Sequence, residues 1–200
     1  MSASEVQICN MAIGMIGGLQ ISSLSETPGT AESRACRVLY PLLRDELVSR
    51  HPWNFAMDRK DISAQQAQRP AFGWQYAYTL PVNLLRMWEL YGSKALWVVE
   101  GGELLTNQDS DILIRYIKIV TETACFTPAF CTCLATRIGA ELAGKIKNDQ
   151  RQRSALLSEL LTIHLPAAYH LNALENNGPI PESEQPMDVG NYTWQTSGRG

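Results

Sequence analysis

Residues 31–56 read AESRACRVLY PLLRDELVSR HPWNFA, and the character of the chain changes within this stretch. Up to Arg50, apolar side chains recur at helical spacing: Ala31, Ala35, Val38, Leu39, Leu42, Leu43 and Leu47 mark one face. Beyond His51 that period is gone. The residue before a proline is pushed out of the helical region, so His51-Pro52 stops the helix. Upstream, Thr27-Pro28 offers a cap residue followed by proline at the first helical position, which places the helix start there. Pro41 lies inside the pattern without an N–H to donate and predicts a kink near Tyr40.

Working outward, the segments on either side of this switch differ in kind. On the N-terminal side, Ser4 caps a helix from Glu5 to Gly17 with Val6, Cys9, Ile13 and Ile16 on one stripe, ended by Gly17-Gly18. On the other side, candidate strands cover 54–62, 75–80, 84–91, 95–99, 103–106 and 112–119, with Gly101-Gly102 as a hairpin signal. Asp109-Ser110-Asp111 reads as a further hairpin turn, since it lacks the glycine and distal glutamate of a calcium loop. Helix returns at Thr127-Pro128, with Phe130, Leu134, Ile138, Leu142 and Ile146 every four residues. Asn148-Asp149 breaks and re-caps the chain, and a last helix covers 150–174 with a second kink expected at Pro166.

The expected fold is therefore α+β. A bundle of about four helices (residues 1–53 and 121–176) carries an inserted, mainly antiparallel β-rich subdomain (54–120) and an extended C-terminal arm (177–200). Short loops between the strands leave no room for parallel crossovers. The arm is too polar to bury a core of its own, yet it carries Met187, Tyr192 and Trp194, aromatic and thioether anchors suited to a partner's pockets.

Charge narrows the function. A net charge of −3 and no basic run argue against a protein that grips phosphates, because such affinity comes from Lys and Arg. Five scattered cysteines and the lack of a basic, then apolar, leader in Met1 to Val6 predict reduced thiols in a cytosol. No run of eighteen apolar residues suggests a membrane partner.

Cys131 and Cys133, two apart on a helix, point in nearly opposite directions and cannot share a metal. His164 and His170 fall on different faces, and no phosphate loop or nucleophile elbow accompanies them. The residues thus predict no catalytic centre, cofactor or metal. Two rival readings stay open: a small cytosolic enzyme with a cysteine nucleophile, and a monomeric module binding peptides or glycans through its aromatic-rich strands.

One stretch carries more than composition. Tyr40-Pro41-Leu42-Leu43-Arg44-Asp45-Glu46-Leu47, followed by His51-Pro52-Trp53-Asn54-Phe55-Ala56, resembles the segment typical of tail tubular protein A-like head-to-tail adaptors of short-tailed bacteriophages. Tyr78-Thr79-Leu80-Pro81, the 84–90 strand and the closing helices from Pro128 extend the resemblance over roughly residues 4–176. It implies a non-enzymatic virion protein. Twelve copies would form a ring between the portal protein and the tail nozzle, a tail tubular B-like protein, with room for tail-fibre attachment. Genome DNA would pass through the lumen without sequence-specific binding. Tyr40, Pro41, Arg44, Asp45, Pro52, Trp53 and Phe55 are then structural signature residues, with Arg44 and Asp45 expected to pair across helices. The portal is the implied receiver of Met187, Tyr192 and Trp194.

Overall fold

The computed structural model describes residues 3–25, 29–64 and 68–175. Its first helix, α1 (Glu5–Met15), is closed by a capping box: the Ser4 hydroxyl accepts from Gln7 N–H, and the Gln7 side chain accepts from Ser4 N–H at 2.7 Å. Gly17, at φ +62°, turns the chain, and Gly18 N–H reaches back to the Ile13 carbonyl. The following link is held by Asn10, whose amide both donates to and accepts from the Ile21 backbone.

The second helix, α2 (Ala31–Arg50), begins later than Thr27-Pro28 suggested. Thr30 is the cap, its hydroxyl accepting from Ser33 N–H at 3.1 Å, while Thr27 and Pro28 lie outside the described residues. α2 continues through Pro41, which sits on its exposed side.

After Pro52 the chain makes a 3-10 turn, Asn54–Ala56, before the first strand; the strand expected from Asn54 starts three residues later. The reason lies in the partners of this turn, which are aromatic side chains and a distant asparagine, described below. Six strands follow: β1 (Met57–Ile62), β2 (Tyr76–Thr79), β3 (Leu84–Tyr91), β4 (Trp97–Glu100), β5 (Glu103–Thr106) and β6 (Ile112–Lys118). All pairings are antiparallel, but they form two three-stranded sheets, ordered β1-β6-β3 and β2-β5-β4. The Gly101-Gly102 turn, both residues at positive φ, joins β4 to β5 as a true hairpin. The Asp109–Asp111 segment does not make the hairpin its sequence suggested, because β5 and β6 belong to different sheets. It is a crossing loop, pinned where the Tyr78 hydroxyl lies 3.0 and 2.9 Å from the Gln108 and Ser110 carbonyls.

The two sheets share one small core, with Ile112, Ile114 and Tyr116 of β6 against Tyr78 of β2 and Leu104 of β5. Alternation then sends Ile117 to the opposite face, where it joins Met57 and Leu85 in the core of the helical body. One sheet is thus the layer between the second sheet and the helices.

The remaining helices are α3 (Pro128–Lys145), α4 (Gln150–Glu159) and α5 (Leu165–Leu174). α3 is central and packs against α1, α2, α4 and α5. Its Thr127 cap and N1 proline match the sequence signal. Asn148, at φ +51°, and Asp149, which caps α4 through Gln152 N–H, form the tight reversal between α3 and α4. Between α4 and α5 the helix widens into a π turn, Leu160–His164, in which Leu165 N–H bonds the Leu160 carbonyl. This turn directly precedes Pro166, where the missing N–H would interrupt regular α-bonding. The architecture is α+β, as the periodicities required.

Candidate functional site

The signature residues fall into two groups. Pro52, Trp53 and Phe55 form the joint between the helical body and the β-rich part. Trp53 is fully buried, and its indole N–H donates to the Leu47 carbonyl at 3.0 Å, tying the turn to the end of α2. Its ring meets Phe130 edge-on at 5.2 Å and stacks beside Phe55 at 5.8 Å. Phe55 in turn touches Phe126 and Phe130. The α3 N-terminus, the α2 C-terminus and the root of β1 are thereby locked together.

A polar clamp completes the joint. Asn54 N–H donates to the Asn172 side-chain oxygen at 2.9 Å, and the Asn54 amide donates to the Asn172 carbonyl and to Glu175. Because the Asn172 oxygen is committed to Asn54, its amide nitrogen faces His51 Nε2 at 3.2 Å, which makes that ring nitrogen the acceptor. His51 is therefore neutral here. Burial, helped by the nearby Arg86 charge, holds its pKa below the ordinary histidine value. The ring also stacks on Tyr169 of α5 at 4.1 Å.

From the sequence His51 is a helix stop and Asn54 part of the 51–56 stretch, neither with a polar partner, and Asn172 has no role, although a signal for it existed. Asn172 follows the buried Leu165 and Ala168 at helical spacing, so it sits on the inward stripe of α5. A polar residue on such a stripe requires buried partners.

The second group is Tyr40, Pro41, Arg44 and Asp45. Arg44 and Asp45 pair at 2.8 Å, but as neighbours on α2 and not across helices. The cross-helix pairing is made elsewhere, where Arg137 of α3 bridges Glu46 of α2 at 3.2 Å and also binds Glu141. Arg153 of α4 joins Glu141 at 3.3 Å, so one chain of charges staples three helices. Tyr40, Pro41 and Arg44 line a groove of about 340 Å³ with Glu5 and Arg37. The Tyr40 hydroxyl is buried and has no hydrogen-bond partner. Met187, Tyr192 and Trp194 lie outside the described residues.

A larger cavity of about 620 Å³ opens beside the joint, lined by Asn54, Met57, Asp58, Arg59, Arg115 and Glu175. Its two acids balance its two bases. Cys131 and Cys133 are buried in α3, and burial pushes both thiols up, Cys133 to about 11. Cys9 and Cys36 meet thiol to thiol between α1 and α2. Among the described residues no cluster of three or more His, Cys, Asp or Glu could hold a metal ion, and no helix is long and apolar enough to cross a membrane. No protein-family model matches the chain, and no curated protein matches it.

Proposed function

We propose that the chain is a structural virion subunit, a ring-forming head-to-tail adaptor that joins the portal to the tail nozzle. The observation that carries this reading is the joint. The stretch 40–56, which lies within the part (36–90) where the resemblance to phage adaptors is clearest, holds the helical body and the β-rich part together through Trp53, Phe55 and the Asn54–Asn172 clamp. A wall subunit that transmits load between two neighbours needs such a fixed internal angle. The cysteine-enzyme reading finds no support at Cys131 or Cys133, because the reactive form of a cysteine is the thiolate and burial pushes both thiols up.

The experiment is a reconstruction of the portal vertex in particles containing this chain. A ring of copies between portal and nozzle is expected, and a density in which the chain touches no copy of itself overturns the proposal. DNA affinity of the assembled ring should be weak and fall steeply with salt, measurable by filter binding. Sequence-specific, salt-resistant binding would contradict the role.

A further inference from the structure

We infer that neighbouring copies of this chain join by laying the outer face of α5 from one copy along the outer face of α2 from the next. This deepens the ring reading and rests on it.

The first observation is an inversion in α5 and the π turn before it. The polar residue Asn172 points inward and is 5% exposed, while Ile163, Leu171 and Leu174 are 59%, 53% and 51% exposed. A helix that is apolar on its outer side as well as its inner one has a second face to bury. The three residues recur at spacings of eight and three, so they form one stripe on the side turned from α3. The second observation is an unlike but matching stripe on α2. Val38 and Leu42 are 59% and 63% exposed, with Pro41 beside them, again on the side away from the bundle.

A contact that closes a ring must be heterologous, using two different surfaces of each subunit. These two stripes meet that demand. Both are apolar, both are exposed among the described residues, and they belong to different helices.

Charge sets their direction. Arg34 lies one turn before Val38, is exposed, and donates to the neutral Gly29 carbonyl. Glu159 lies one turn before Ile163, its side chain 48% exposed and 3.1 Å from His164. Laid parallel, the helices bring Glu159 beside Arg34 and Ile163 beside Val38. Leu171, twelve residues beyond Glu159 where Leu42 is eight beyond Arg34, then falls about one turn past Leu42, within reach of a short cross-linker.

The test uses the full chain with Cys125→Ser, which removes the exposed native thiol, the other four being buried. A variant carrying Leu42→Cys and Leu171→Cys is treated with a short bismaleimide. Linked dimers and higher species joining position 42 to position 171 are expected, with neither single variant linking to itself. Linking of Leu171→Cys alone would mean an isologous contact and overturn the inference. In parallel, Leu171→Glu should weaken assembly about tenfold or more, because a carboxylate would be driven into the apolar contact. Adding Leu42→Lys should restore it. Circular dichroism melts of each variant identify any that fail to fold; both positions are exposed, so unchanged melts are expected. If wild-type copies assemble and Leu171→Glu copies assemble equally well, this contact is wrong while the ring stands. If wild-type copies contact one another nowhere in the particle, the ring reading has failed and takes this contact with it.

Discussion

At the scale of single residues, the joint depends on which atoms donate and which accept. His51 accepts from the Asn172 amide, so protonating it would set two donors face to face. Its folded pKa lies below the ordinary value of about 6.5. Above that value the ring is neutral in both states and this contribution to stability is fully present. As pH falls below about 6.5, the unfolded chain takes up a proton that the folded one resists, and stability is lost through the folded value. The urea midpoint should therefore drop between pH 7.5 and 5.5, and His51→Gln should flatten that drop. Asn172→Ala should cost about 1–3 kcal/mol at pH 7.5, because the Asn54 N–H is left without its acceptor. A midpoint within error of wild type would show that water satisfies Asn54 instead. Of the joint's residues, Pro52, Trp53 and Phe55 were legible in the sequence as signature positions, whereas the contacts of His51, Asn54 and Asn172 were not. The Asn54–Asn172 bond spans 118 positions, and no local period records a contact of that reach.

At the scale of elements, what could be read was whatever local chemistry decides. Ser4, Thr127-Pro128 and Asp149 announced their helices because a cap acts on an N–H two or three residues away. The same logic misplaced the start of α2, since Thr30 offers the same hydroxyl three residues later than Thr27. Strand positions were legible to within a few residues from turn residues and β-rich runs, but the division into two sheets was not. Consecutive strands such as β5 and β6 are joined by a short loop and yet pair with different partners. The turn at Asp109–Asp111 looks the same in sequence whether it reverses a hairpin or crosses between layers. The hairpin that does form carries a flaw: Glu100 stands directly opposite Glu103. Like charges in a directly opposed pair destabilise, so Glu103→Lys should raise stability by about 0.2–1 kcal/mol. The check is a urea midpoint at low salt, where the gain should be largest and should shrink as salt is added. A gain that persists unchanged in high salt would point to packing and not to charge.

At the scale of the whole molecule, the fold is a helical bundle clamped to a two-layer β part, and on the adaptor proposal its function depends on surfaces that the clamp presents to other chains. On the same proposal the C-terminal segment would supply a further contact, since Met187, Tyr192 and Trp194 stand in an otherwise polar stretch. Anchors of this type gain affinity by filling pockets on a partner, and the portal is the partner that the adaptor reading supplies. Cutting the chain after Asn176 should leave the described fold intact, since the clamp ends at Asn172 and Glu175 and both are kept. The melting temperature of the truncated chain should therefore match that of the full one. Attachment to portal-bearing capsids should be lost, and Trp194→Ala in the full chain should weaken it by about 2 kcal/mol or more, the scale of a buried aromatic anchor. Both are measurable by co-sedimentation with capsids. Self-assembly through α2 and α5 should survive the truncation, because neither stripe lies beyond Leu174. That separation gives the experiment its force. Truncated copies that still link position 42 to position 171 but no longer sediment with capsids would assign ring contacts to the helical body and portal contacts to the segment beyond it. Truncated copies that sediment with capsids as well as the full chain would remove the segment from portal binding and leave that task to the folded surfaces.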